Sequence, residues 1–165
     1  MHEYRVTKYN PRFRKSSGAY TRDEWTSFAD IGHSFGGVEL TRAEYERVED
    51  AYVATAAAFL REAEVPQVIV RGFENARGLP VLVADGNALS IEQVPEVLRS
   101  VLREEYWCRL EGADAFVHVG WDYYMYVGVP RPCPAACRQA NDLGLYVEDF
   151  ASPYRGDPVL KKVRP

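Results

Sequence analysis

Residues 106–129, YWCRLEGADAFVHVGWDYYMYVGV, decide the fold. Aromatic and β-branched residues come in short runs broken by glycine and aspartate, the pattern of antiparallel strands joined by tight turns. The expected strands are 107–111, 116–119 and 121–127, with a turn at 112–114 and a bulge or tight bend at Gly120. Alternation then points Trp121, Tyr123, Met125 and Val127 one way and Asp122, Tyr124 and Tyr126 the other. One of these faces should be core and the other partly exposed.

Working outward, QVIVRGF (67–73) and LPVLVAD (79–85) are β-branched runs separated by turn residues, and are expected to pair. Strands over 4–9 and 145–150 complete the sheet. Thr41 and Glu44 form a capping box, with Leu40 and Tyr45 as a hydrophobic staple, so a first helix starts at Thr41. Tyr45, Val48, Tyr52, Ala56, Phe59 and Leu60 make its buried stripe, while Arg47, Glu49 and Arg61 largely face water. Thr55 falls on the buried side, where its hydroxyl has a carbonyl one turn back to bond. The helix ends near 62–64, before Pro66. Ser90 with Gln93, and Leu89 with Val94, signal a second helix whose regular start Pro95 shifts to near Val94. Val94, Leu98, Val101 and Leu102 form its buried stripe. Strands and helices do not alternate strictly, so the fold class is α+β: one domain over 1–165, a mostly antiparallel sheet packed against two main helices.

Composition narrows the function. At 165 residues, 47% hydrophobic and 27% charged with net charge -4, the chain fits neither a membrane protein nor a disordered one. The N-terminal MHEYRVTKYN has no apolar run of the secretory kind, and no stretch reaches the roughly 18–20 apolar residues that span a bilayer. A cytoplasmic location without membrane contact is expected. Cys108, Cys133 and Cys137 are too few and odd in number for a disulfide framework, and are expected as free thiols. Residues 41–111 carry thirteen acidic against eight basic side chains. This acidic third favours a basic partner and disfavours nucleic acid; a solvated helix face is the plainer reading of the same charges.

Two segments could carry chemistry. GAYTRDEWTSFADIGHSFGG (18–37) gathers Asp23, Glu24, Trp25, Thr26, Ser27, Asp30 and His33, either as a binding loop or as a packed loop that satisfies its own backbone. GWDYYMYVG (120–128) sets Tyr124 and Tyr126 beside Asp122 as rigid contact area; the alternative is tyrosines lying on a helix with their hydroxyls in water. Nucleophile-elbow, P-loop, dinucleotide-binding and zinc-protease motifs are missing, and no catalytic residue, metal or cofactor is assigned. Glu111 and Asp122 with His118 on the intervening strand could pair as acid and base, although a strand histidine is more often structural. Cys133 and Cys137, even with Cys108 and His118, lack the spacing of a zinc site.

KYNPRFR (8–14), GAYTRDEWTSFADIG (18–32), YWCRLEG (106–112) and FVHVGWDYYMYVG (116–128), in that order, look like segments of small bacterial cytoplasmic proteins without a settled chemistry. The resemblance spans about residues 4–154. The chain is similar in kind to immunity proteins of polymorphic toxin systems, which are small acidic binders. That resemblance implies a non-enzymatic protein that neutralises a cognate toxin, or another basic protein, by direct contact; it assigns no residue a role. In this reading Asp23, Glu24 and Asp122 meet basic groups, Trp25, Tyr124 and Tyr126 form the desolvated centre, and Asp30 and His33 lie on the same contact loop. A C2 homodimer through the tyrosine strand is a further arrangement its edge would allow. The competing expectation is a small enzyme or ligand sensor whose pocket is ringed by Asp23, Glu24, His33, Glu111 and Asp122.

Overall fold

Every strand pairing in the main sheet of the computed structural model, which describes residues 1–120 and 122–155, is antiparallel. The elements in chain order begin with β1 (His2–Thr7), a small hairpin of β2 (Ser34–Phe35) and β3 (Val38–Glu39), α1 (Arg42–Glu62), β4 (Gln67–Glu74) and β5 (Ala88–Ser90). They continue with α2 (Val94–Leu102), β6 (Trp107–Glu111), β7 (Phe116–Val119), β8 (Met125–Val129), α3 (Pro134–Asp142) and β9 (Tyr146–Asp149). The seven-stranded order is β5-β4-β6-β7-β8-β1-β9. This is the expected α+β architecture, with a third helix added. No helix among the described residues is long and apolar enough to cross a membrane.

The helices share one face of the sheet, where α1 packs against both α2 and α3. Thr41 caps α1 through its side chain, accepting from Glu44 N at 3.2 Å, while the Glu44 carboxylate turns to a two-point bond with Arg47. The expected stripe of α1 is buried, and Tyr4 of β1 meets Phe59 at 5.0 Å between ring centres. Glu49 departs from expectation: it is fully buried, not water-facing, because Arg99 and Arg103 on α2 reach across to it. The Thr55 hydroxyl is buried as expected but has no hydrogen-bond partner among the described residues. Pro95 sits in the first turn of α2, whose expected stripe is also buried.

Three further segments differ from expectation. Residues 79–85 are not a strand; β4 pairs instead with β5. Pro80 lacks a ladder donor, and Asn75 closes the preceding turn by accepting from Leu79 N and donating to Leu79 O, so the chain loops outward and leaves Leu82 fully exposed. The last strand of the 121–127 run begins only at Met125, because Gly120 N donates to Tyr124 O and closes a tight loop. Trp121 lies outside the described residues. The Pro-rich segment around Cys133 and Cys137 forms α3. Its first turn is capped from a distance, as Ala135 N and Ala136 N donate to the Glu62 carboxylate at 3.1 and 2.7 Å.

The sheet's second face is crossed by the chain leaving β9. Ser152 N and Arg155 both donate to the Glu3 carboxylate, and Arg109 donates to Tyr154 O. Residues 150–155 thereby cover His118 and Tyr126, which explains why that face is not open.

Candidate functional site

The sequence-nominated residues do not gather at one point. Trp25 and Tyr126, expected at an exposed contact centre, are buried within the chain instead. Trp25 stacks edge-on against Tyr123 at 5.0 Å, and Tyr126 lies between Phe150 and Tyr154. Both were misplaced for one reason: segments that look like surface loops, 18–37 and 150–155, fold back as lids over large rings. Tyr124 is half-buried against Tyr9 and the Arg5 guanidinium. Asp30 accepts from Thr26 N and Ser27 N, closing its own loop. Asp23, His33 and Asp122 are exposed.

The ring of carboxylates expected of an enzyme pocket is dispersed. Glu24 borders a recess of about 110 Å³ together with Lys8, whose ammonium lies 3.4 Å from Glu24 Oε2 and over the rings of Tyr9 and Trp25. Burial lowers Lys8 to about 8, against the pull of Glu24, which raises it. Glu111 lies on the opposite face of the sheet beside His118.

His118 is nonetheless part of a suggestive row. Its Nδ1 is 2.8 Å from Ser152 Oγ, and its Nε2 approaches Glu111 Oε1 at 3.5 Å. Burial, with the Arg109 charge close by, pulls the imidazole down to about 3, so it is neutral at pH 7. A hydroxyl, a neutral imidazole and a carboxylate in sequence are the parts of an acyl-transfer triad. Attack by Ser152 would also require donors for the developing oxyanion. The nearby backbone offers none: Ser152 N is held by Glu3, Pro153 has no N–H, and Tyr154 N donates to Ser152 Oγ itself. Ser152 is also buried. The row works as a clasp that fastens residues 150–155 to the sheet.

The two polar aromatic segments do meet elsewhere, at a cleft of about 220 Å³ past the end of α2. Thr26 comes from the first segment and Gly120 and Tyr123 from the second, with Val119 just before it. Buried Leu102, Tyr106 and Tyr123, with half-buried Trp107, give the cleft an apolar floor. Among the described residues that line it, Glu74, Glu104 and Glu105 are acidic and Arg77 is basic.

Local backbone geometry explains each placement. A register shift at Gly72, φ +61°, bends the end of β4 so that Glu74 faces Trp107. Glu104, φ +57°, occupies the left-handed position that ends α2, which turns the Glu104–Glu105 pair towards Tyr106 and Trp107. Tyr123 also has a left-handed backbone, φ +60°, held by buried bonds: Tyr52 OH donates to Tyr123 O at 2.7 Å, Tyr123 OH to Tyr45 OH at 2.9 Å, and Tyr45 OH to Leu102 O at 3.2 Å. Such strain persists only where surroundings enforce it, and it often marks a working surface.

Glu74, Arg77, Glu104, Glu105, Tyr106 and Trp107 were missed from sequence. The available signal was the pair of adjacent carboxylates followed by two aromatics immediately after the α2 stripe. Among the described residues no three His, Cys, Asp or Glu side chains converge as metal ligands, and the cysteines are free thiols. No protein-family model, curated protein or solved structure matches the chain.

Proposed function

We propose that this is a non-enzymatic binding protein that engages a basic partner protein through the cleft at the end of α2. The form of action suggested by the resemblance to immunity proteins is neutralisation of a bacterial toxin. One observation carries the reading: the two polar aromatic segments meet at an apolar recess edged by three carboxylates and one guanidinium. The carbonyl end of α2 adds partial negative charge at the same place. Size separates a protein partner from a metabolite. About 220 Å³ is below the roughly 300–1,000 Å³ typical of small-molecule pockets, yet ample for one anchoring side chain.

The test is co-expression with the product of the adjoining reading frame, using the full chain and a Thr26→Trp variant. Thr26 is exposed at the cleft, so an indole there fills the cleft while leaving the core alone. The native chain should co-purify with the partner and rescue cells from it, and the variant should do neither. A native chain that neither co-purifies nor rescues would reject the proposal.

A further inference from the structure

The cleft's chemistry also narrows what part of the partner enters it, an inference that rests on the partner-binding reading above. An occupant must satisfy two surfaces at once. The floor is hydrophobic and aromatic, built from Leu102, Tyr106, Trp107 and Tyr123, so whatever lies on it must be apolar or flat. The edge offers four carboxylate oxygens from Glu104 and Glu105, at the carbonyl end of α2. A cation with an apolar stem fits; an anion or a purely aliphatic group does not.

Lysine and arginine both combine stem and charge, and the floor discriminates between them. An ammonium is compact and strongly hydrated, so its attraction to aromatic walls is set against a larger loss of water. A guanidinium is planar and weakly hydrated, stacks on aromatic faces, and carries five donors to set against several carboxylate oxygens. We infer that the cleft is an arginine-anchor site, taking one arginine side chain of the partner along Leu102, Trp107 and Tyr123 with its guanidinium at Glu104 and Glu105.

The experiment uses the full isotope-labelled chain titrated with Nα-acetyl-arginine amide, which presents one guanidinium and no other charge, and with Nα-acetyl-lysine amide. Backbone signals of residues 101–107 and the Trp107 indole N–H report on the cleft. The arginine probe should give saturable shifts confined to the cleft, and the lysine probe should bind about tenfold more weakly. A Glu104→Gln, Glu105→Gln double variant should lose about tenfold in affinity for the arginine probe. Neither side chain is buried, so signals elsewhere stay in place as the check on folding. Absence of saturable shifts, equal binding of the two probes, or undiminished binding by the double variant would overturn the anchor. A chain that captures its partner yet ignores the arginine probe removes the anchor and leaves the proposed function standing. A chain that binds the probe but neither captures nor rescues does the reverse.

Discussion

Glu49 and His118 are both buried polar residues, and they respond to change in opposite ways. Glu49 sits between two guanidiniums: Arg103 donates two bonds of 2.7 Å to it and Arg99 a third of 3.3 Å. Glu49→Ala leaves Arg103 without its carboxylate and Arg99 with Asp50 alone, but both guanidiniums are about a third exposed and water relieves part of the loss. The expected cost is therefore about 2–3 kcal/mol, below the 3–5 of a fully enclosed pair, read from urea unfolding. His118 is neutral in the fold at about 3 and would titrate near 6.5 when unfolded. Between those values the unfolded chain holds the extra proton. The contribution of His118 is thus complete above about pH 6.5 and is lost as pH falls towards 3. Unfolding free energies of the native chain and His118→Asn should converge by about 2 kcal/mol between pH 7 and pH 5. A gap that stays constant over that range would mean the imidazole is not held neutral.

At the scale of elements, helix ends give a matched pair of tests. α1 and α2 each stop with a glutamate in the left-handed region, Glu64 and Glu104, both φ +57°, where glycine is unstrained. Glu64→Gly and Glu104→Gly should each stabilise by about 0.5–1 kcal/mol, seen as a raised melting temperature, and only Glu104→Gly should weaken the arginine probe. A different cost applies at Gly128 of β8, whose backbone suits any residue but whose Cβ would run into the Phe116 ring on β7. Gly128→Ala should cost about 1–3 kcal/mol, and a cycle with Phe116→Leu should recover much of it. These same ends show what sequence could and could not reveal. α1 was legible because cap, staple and stripe all lie within one segment, and α2, which no side chain caps, because its stripe and Pro95 do. α3 was not, since the group capping it, Glu62, is seventy-odd residues away in sequence. Residues 79–85 misled because β-branched composition speaks to strand preference, whereas Pro80 and the Asn75 turn settle where the chain goes. The cleft divides likewise: Thr26 and the 120–124 loop lay in nominated segments, while Glu104 and Glu105 owe their role to a helix end. Trp25 and Tyr126 were polar-context aromatics whose packing partners, Tyr45 and Tyr123 for the one and Phe150 and Tyr154 for the other, lie in distant segments.

Over the whole molecule, charge and shape separate into different kinetic tasks. Residues 41–111 hold a net charge of -5 by the count of thirteen acids and eight bases, and the cleft carboxylates Glu74, Glu104 and Glu105 all belong to this stretch. A diffuse negative field of this kind acts on a basic partner before contact, at distances that salt screens over roughly 8–10 Å. On the proposed function, the recess acts only after contact, when a side chain is seated and desolvated. Association of the native chain with its partner should therefore slow by about tenfold between low salt and about 0.5 M, with dissociation little changed. Thr26→Trp carries no charge, so it should leave the association rate and its salt dependence nearly as they were and speed dissociation by about a hundredfold. Surface-plasmon kinetics over a salt series would resolve both. If Thr26→Trp altered association alone, or salt altered dissociation alone, the cleft could not be the seat of the contact, and the acidic helix faces would be no more than a solvated exterior.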